Sequence, residues 1–129
     1  MNIQIIDPLE YRNIKINKIV SCLWLDDERE IEHYFTKDNI NKIIFEKARN
    51  YDEFIELIKS EGYKDYDMIC FDHDLGYGRN GYDCAKALAN EIEKFGLDNN
   101  INIFIHSSNY SGCKNIYSIL KNTIKQCHL

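Results

Sequence analysis

The chain has 129 residues, of which 44% are hydrophobic and 29% are charged. This length and composition predict one compact globular domain with a real hydrophobic core, and they exclude a membrane span because no apolar run approaches the roughly 20 residues that cross a bilayer. The formal net charge of −5 argues against a broad nucleic-acid groove, although it leaves room for one phosphate bound through a metal ion.

The first 18 residues form an extension that precedes the main α/β domain of residues 19–129. Two isoleucine pairs in this extension alternate with polar residues, first Ile3 and Ile5 and then Ile14 and Ile16. Such alternation predicts a hairpin or an added edge strand. The chain has one proline, no low-complexity tract and no internal repeat, so the sequence indicates no second domain.

Four apolar runs predict the strands of the main domain, and amphipathic segments separate or follow them. The strands cover Val20–Leu25, Asn39–Phe45, Met68–Phe71 and Ile103–Ile105. Alternating strands and helices call for a mostly parallel sheet covered by helices. If the first and third of these strands flank the topological switch point, the strand order is 2-1-3-4.

Capping signals and apolar stripes predict the helices after the second, third and fourth strands. Asn50 is the predicted N-cap of one helix, Glu53 completes its capping box, and Gly62 is its stop. The next helix closes at Gly96, and the last one starts near Ser111. Their apolar stripes are Tyr82, Ala85, Ala89 and Ile92 in one helix, and Ile116, Ile119, Leu120 and Ile124 in the other.

Polar side chains stand directly after three of the predicted strands. Asp26 and Asp27 follow the first strand, Asp72 and Asp74 follow the third, and His106 follows the fourth. The carboxyl ends of neighbouring parallel strands open into one crevice, where α/β proteins bind ligands. Because four carboxylates at close range repel one another unless a cation bridges them, we predict a Mg²⁺ or Mn²⁺ site.

Each of these features also has a purely structural interpretation, which the sequence leaves open. Asp26 or Asp27 can serve as a helix N-cap, and His106 can be a hydrogen-bonded histidine at a strand end. The run Ser107-Ser108-Asn109 before Gly112 can be a turn into the last helix. Their joint position at matching strand ends favours the functional interpretation.

Four short motifs follow one another along the chain. They are Leu25-Asp26-Asp27-Glu28-Arg29, Asp72-His73-Asp74-Leu75-Gly76, Asn80-Gly81-Tyr82-Asp83, and His106-Ser107-Ser108-Asn109 with Gly112. This succession resembles the cyclic-phosphate processing family of receiver-like domains, which are divergent relatives of the receivers of two-component signalling. The resemblance covers about residues 19 to 120. It implies a three-layer, flavodoxin-like fold. The chain departs from an ordinary receiver in lacking the fifth strand and its lysine, so the N-terminal extension is a candidate substitute for that edge strand.

The resemblance implies a metal-dependent phosphoesterase that acts on a cyclic phosphate, either a 2′,3′-cyclic phosphate at an RNA end or a cyclic nucleotide. His106 is the preferred general acid or base because the ordinary pKa of histidine suits proton transfer near neutrality. His73 is the second choice, since alternation along an extended segment places it opposite Asp72 and Asp74. The metal ligands would be Asp26, Asp27, Asp72 and Asp74.

Contacts to the substrate phosphate are assigned to Arg29, Ser107, Asn109 and Gly76, although Arg29 is equally suited to pairing with a local carboxylate. Two alternatives to hydrolysis stay open. One is a binding module that captures a nucleotide or phosphate without turnover, and the other is phospho-aspartate chemistry with Asp72 as the nucleophile.

The cysteine pattern and the amino terminus predict a cytoplasmic location. The five cysteines form no CxxC pair, and no basic segment followed by an apolar one begins the chain. The expected partner is a nucleotide or an RNA terminus that bears a cyclic phosphate, with no membrane and no extended nucleic-acid groove. The sequence leaves the oligomeric state open.

Overall fold

The computed structural model of the protein describes residues 1–97 and 100–127 and is an α/β fold, as predicted. The strands are β1 (Asn2–Ile5), β2 (Val20–Leu25), β3 (Ile43–Ala48), β4 (Met68–Phe71) and β5 (Asn102–Ile105). The α-helices are α1 (Lys37–Ile40), α2 (Tyr51–Ile58), α3 (Gly81–Phe95) and α4 (Tyr110–Cys127). Short 3₁₀ helices cover Pro8–Asn13, Ile31–His33 and Gly62–Asp65.

The sheet has five parallel strands in the order β1-β5-β4-β2-β3. The last four reproduce the predicted order 2-1-3-4, and β1 adds an edge strand beside β5. A flavodoxin-like sheet has the order 2-1-3-4-5, so β1 takes the place of the fifth strand although it comes first in the chain. The edge-strand prediction for the extension is therefore confirmed. The hairpin alternative is wrong, because residues 8–13 form a 3₁₀ helix and Ile14 and Ile16 lie outside the strands.

The register of the sheet brings the strand ends to one level. Leu25 of β2 pairs with Phe71 of β4, and Phe71 pairs with Ile105 of β5. The residues that follow, Asp26, Asp72 and His106, therefore leave three adjacent strands at the same edge. This is the convergence that the apolar runs predicted.

Both faces of the sheet are covered, which gives the predicted three layers. On one face, Phe71 and the other inward side chains pack in a core that includes α2, α3 and α4. On the other face, Trp24 packs with Tyr11, Ile31 and Phe35. These three come from the N-terminal segment and from the stretch after β2, so the extension supplies part of the third layer. The division of the chain at residues 18 and 19 stays a prediction.

Helix α2 begins at its predicted cap and ends earlier than predicted. The Asn50 Oδ1 accepts a hydrogen bond from the Glu53 amide at 2.9 Å. The Glu53 carboxylate accepts from the amide of Arg49 at 2.8 Å, one residue before the predicted partner. The helix stops before Gly62, whereas α3 does end at Gly96, which adopts a φ of 98°.

Two other predicted boundaries are shifted. Strand β3 begins at Ile43 and not at Asn39, because Thr36 caps the short helix α1 by accepting a hydrogen bond from the Asn39 amide at 3.2 Å. Helix α4 begins at Tyr110, just ahead of the predicted Ser111. Both shifts follow from local hydrogen bonds that compete with the extended or helical pattern.

Candidate functional site

Three carboxylates meet at the carboxyl edge of the sheet. Each of Asp26, Asp27 and Asp72 offers one oxygen, and these oxygens all lie within 4.8 Å of one another. Asp26 and Asp72 are buried, with 3% of each residue exposed, while Asp27 is half-buried. The fourth predicted metal ligand, Asp74, is exposed and lies outside this cluster.

The Asp26 carboxylate is held by hydrogen bonds on both oxygens. Its Oδ1 accepts from the amides of Glu28 at 2.9 Å and Arg29 at 2.8 Å, and its Oδ2 lies 2.8 Å from Nε2 of His106. Burial alone would raise the pKa of Asp26, but the hydrogen bonds from His106 and the two amides outweigh it and hold the pKa below its usual value. Asp26 is thus both the cap of the turn after β2 and a member of the acidic cluster.

Asp72 is the unsatisfied member of the cluster. Its Oδ1 is buried and has no hydrogen-bond partner within residues 1–97 and 100–127. Burial is the largest cause and the negative charge of Asp26 is the second, and together they raise the pKa of Asp72 to about 7. Arg29 and Ser107 act in the opposite direction and lower this pKa. A buried carboxylate oxygen without a partner, beside two further carboxylates, fits a hard divalent cation such as Mg²⁺ or Mn²⁺.

Arg29 lies between the two buried carboxylates. Its Nη1 is 3.4 Å from Oδ2 of Asp26 and 3.8 Å from Oδ2 of Asp72, and 25% of its side chain is exposed. The Trp24 indole donates a hydrogen bond to the Arg29 carbonyl at 2.8 Å, which fixes the backbone from which this side chain extends. The sequence predicted either a phosphate contact or pairing with a local carboxylate for Arg29, and in the structure Arg29 pairs with two local carboxylates.

His106 lies behind Asp26 and has no exposed surface. Its Nδ1 is 2.6 Å from the Tyr11 hydroxyl, and its ring stacks on Trp24 with a centroid distance of 4.7 Å. Burial lowers the pKa of His106, although the nearby Asp26 opposes that effect. The neutral ring donates its Nε2 proton to Asp26, since an ionised carboxylate can only accept.

A second polar group forms around His73, on the loop after β4. The His73 Nδ1 is 2.8 Å from Oδ1 of Asp74, and the side-chain nitrogen Nδ2 of Asn109 is 3.3 Å from the same ring nitrogen. The Asn109 Oδ1 accepts a hydrogen bond from the Gly112 amide at 2.9 Å, so this residue also caps α4 as the structural interpretation predicted. Ser107 lies on the same connection and accepts a hydrogen bond from the Asn109 amide at 3.1 Å.

The glycines of the motifs are sites of close approach. A Cβ at Gly112 would lie 2.4 Å from the His73 ring, and a Cβ at Gly81 would lie 1.9 Å from the Asp72 carbonyl oxygen. Gly76 adopts a φ of 76°, and a Cβ there would lie 3.4 Å from Oδ2 of Asp27. The loop after β4 therefore passes close to Asp27 of the acidic cluster at Gly76.

A pocket of about 410 Å³ lies where this loop continues. The Arg79 guanidinium stands 4.4 Å from the centre of the Tyr51 ring, and Tyr77 is fully exposed. Tyr82 is half-buried and packs against the core. The pocket is lined by Asn50, Tyr51, Asp52, Tyr77, Gly78 and Arg79.

Sequence reasoning missed Tyr11, whose hydroxyl reaches the site from the N-terminal extension. A local signal for the segment was present in Asp7-Pro8 and Glu10, because Asp7 and Glu10 form a reciprocal capping box around a 3₁₀ helix. No local signal indicated that this helix would lie against His106, which is 95 residues further along the chain.

A parallel sheet of this order, with acidic side chains after neighbouring central strands, defines a receiver-like α/β domain. Residues 21–122 match the family model described as the cyclic-phosphate processing receiver domain. The match covers most of the chain, and the protein belongs to this family, in agreement with the resemblance of its motifs.

The fold is also similar to that of known structures. A solved structure in which yeast Spc42 trimeric coiled-coil amino acids 181–211 are fused to another structure has a TM-score of 0.55 and 19% sequence identity. The match covers 85% of this chain and 77% of the other, and at that identity it concerns the fold alone. A search of curated proteins gave no match. Among the described residues, no helix combines the length and the apolar character that crossing a membrane requires.

Proposed function

We propose that the protein is a metal-dependent phosphoesterase that opens a cyclic phosphate on a nucleotide or an RNA end. The observation that carries the proposal is the unpartnered, buried Oδ1 of Asp72 within a cluster of three carboxylates. The membership of the chain in a family named for cyclic-phosphate processing supports the choice of substrate class.

Asp26, Asp27 and Asp72 are the residues that would hold a divalent cation, and their oxygens are the ligand type that Mg²⁺ and Mn²⁺ prefer. Such a cation supplies a Lewis acid for a phosphoryl oxygen and lowers the pKa of a bound water. Asp26 brings a pre-oriented carboxylate to this set, because two backbone amides and His106 fix its plane.

We assign a phosphate contact to Arg29 once a cation neutralises the carboxylates. Its contacts of 3.4 and 3.8 Å with Asp26 and Asp72 are long for charge-assisted hydrogen bonds, and part of its side chain reaches solvent. The guanidinium can therefore turn from these carboxylates to a phosphate oxygen at low cost. Ser107 and the Gly76 amide complete the donors that we assign to the phosphate.

Proton transfer is assigned to His73, and His106 is given the role of holding Asp26. His106 has both ring nitrogens occupied and no exposed surface, so it cannot reach a substrate oxygen. His73 keeps 13% of its side chain exposed, and Asp74 orients its ring through Nδ1. A carboxylate on one ring nitrogen fixes the tautomer and leaves the other nitrogen for proton transfer.

The nucleoside part of the substrate would lie in the pocket that Tyr51, Tyr77 and Arg79 line. The loop connects Gly76, which lies over Asp27, to Tyr77 and Arg79 at the pocket wall. Aromatic faces and a guanidinium are the groups on which nucleobases stack.

The test is the hydrolysis of a 2′,3′-cyclic nucleotide in the presence of Mn²⁺, with the products identified afterwards by ³¹P NMR. We expect conversion to a nucleoside monophosphate by the wild-type protein and no conversion after chelation with EDTA. His73→Ala should lower kcat by about 10²- to 10⁴-fold, as loss of a general acid or base does. His33→Ala is the matched control, since His33 is an exposed histidine on the 3₁₀ helix Ile31–His33, and it should retain full activity.

A binding module without turnover is the second candidate, and the burial of His106 favours it. If that candidate is correct, wild-type protein binds the cyclic nucleotide in a titration but leaves it intact at all metal concentrations. Formation of a phospho-aspartate at Asp72 from a small phosphate donor would instead indicate receiver chemistry.

A further inference from the structure

The buried hydroxyl of Tyr11 makes a specific contact that packing does not require. Tyr11 lies in the 3₁₀ helix Pro8–Asn13, has no exposed surface, and places its Oη 2.6 Å from Nδ1 of His106. The segment that carries Tyr11 lies ahead of residues 21–122, so it is outside the part of the chain that matches the family model.

The polarity of this contact follows from its neighbours. Nε2 of His106 lies 2.8 Å from Oδ2 of Asp26, and a carboxylate accepts but does not donate, so Nε2 carries the ring proton. In the neutral ring the remaining nitrogen, Nδ1, is then an acceptor and requires a donor in this buried position. The Tyr11 hydroxyl is that donor, which gives a directed chain from Tyr11 through His106 to Asp26.

The sheet fixes the segment that carries Tyr11 directly beside His106. The amide of Ile6, just after β1, donates a hydrogen bond to the carbonyl of Ile105 at 2.9 Å. Ile105 immediately precedes His106. The Asp7 side chain then accepts from the Leu9 amide at 2.9 Å and starts the 3₁₀ helix that turns Tyr11 towards the site.

We propose that Tyr11 is a positioning residue of the acidic site, whose hydroxyl fixes His106 in the Nε2–H tautomer and thereby aims the Asp26 carboxylate at the divalent cation. This inference rests on the proposed metal site. On this view the N-terminal extension supplies the last hydrogen bond in the network that holds the Asp26 carboxylate. Residues that hydrogen-bond to metal ligands in this way tune the affinity of the site for the metal.

The ring and the hydroxyl of Tyr11 can be tested apart. The ring contacts Phe35 and Trp24 at centroid distances of 5.0 and 5.4 Å, and phenylalanine would preserve those contacts. Tyr11→Phe therefore removes only the donor to His106. The matched control is Tyr63→Phe, which removes another buried tyrosine hydroxyl, one that donates to the Gly96 carbonyl in the other layer.

The experiment uses the full chain, with the Mn²⁺ dissociation constant measured by calorimetry and the His106 ring nitrogens observed by ¹⁵N NMR without metal. We expect Tyr11→Phe to weaken Mn²⁺ binding by about 3- to 10-fold, less than the roughly 10- to 100-fold typical of a residue that touches the ligand itself. The Nδ1 signal of His106 should shift in the same variant. Tyr63→Phe should change neither quantity, even if it lowers the melting temperature.

Each outcome separates this inference from the proposed function. Unchanged ring nitrogens in Tyr11→Phe, or an Nδ1–H tautomer in the wild-type protein, would overturn the positioning role whether or not metal binds. If the wild-type protein binds no Mn²⁺, the metal proposal fails and the role of Tyr11 towards the cation falls with it. If the Nδ1 signal still shifts in Tyr11→Phe, the hydrogen bond between Tyr11 and His106 is supported, but without a role in metal binding.

Discussion

Replacing Asp72 by asparagine should make the protein more stable above neutral pH when no metal is present. Burial and the Asp26 charge raise the pKa of Asp72 from 3.8 to about 7 in the folded protein. Between those two values the folded state binds more protons than the unfolded state, so the free energy of unfolding falls as pH rises. Asparagine keeps the shape of the side chain and removes this titration.

The magnitude follows from the two pKa values of Asp72. They differ by about 3 units, and one unit corresponds to about 1.36 kcal/mol, so ionisation of Asp72 costs the folded protein about 4 kcal/mol above pH 7. Asp72 is 3% exposed, so its carboxylate has little contact with solvent. The stability of Asp72→Asn minus that of wild type should thus grow by about 4 kcal/mol between pH 4 and pH 8.

The assay is chemical unfolding followed by circular dichroism at a series of pH values with EDTA present. Taking the difference between the two proteins cancels the contribution of every group that the substitution leaves unchanged. Asp74→Asn is the matched control, because Asp74 is exposed and its hydrogen bond from His73 holds its pKa below the usual value. Its difference from wild type should grow by far less than 4 kcal/mol over the same pH range. A flat or falling difference for Asp72→Asn would refute the electrostatic account of the cluster.

Three further predictions address the metal, the His73 loop and the pocket. In thermal unfolding, Mn²⁺ at 100 times its dissociation constant should raise the stability of wild type by about 2.7 kcal/mol and leave that of Asp72→Asn almost unchanged. An equal rise in stability for both proteins would place the ion elsewhere. Gly112→Ala should cost about 1–3 kcal/mol in chemical unfolding, because its Cβ would stand 2.4 Å from the His73 ring; a smaller cost would mean that the ring can move aside freely. Tyr77→Ala should leave the melting temperature unchanged but weaken nucleotide binding, measured by calorimetry, by about 1–3 kcal/mol; unaltered affinity would place the base outside the pocket.

The sequence alone was sufficient to predict the inner part of the site. Buried parallel strands are continuous apolar runs, so the ends of β2, β4 and β5 can be located from the sequence. The parallel register then aligns Leu25, Phe71 and Ile105, and the polar residues that follow them must converge. For this reason the carboxylates of Asp26 and Asp72 were correctly predicted to lie close together.

Periodicity alone could not place the N-terminal extension, and its substitution for the missing fifth strand rested on the family resemblance. Strand β1 is short and mostly exposed, and its partner β5 lies about 100 residues further along the chain, with Asn2 opposite Asn102. No local pattern selects one edge of a sheet over the other. The contact between Tyr11 and His106 depends on that choice, and it was therefore out of reach of any argument from periodicity.

The outer part of the site differs from prediction for a further physical reason. Alternation along a strand predicted that Asp72 and Asp74 would face one side and His73 the other, but β4 ends at Phe71 and alternation does not extend beyond it. The loop instead folds back, with the Gly81 amide donating to the His73 carbonyl at 2.7 Å, and Asp74 turns to the His73 ring. Asp74 is thereby separated from the metal cluster and becomes the residue that orients His73. The same backbone turn that removes a predicted metal ligand thus supplies a histidine–carboxylate pair, which is why we assign proton transfer to His73.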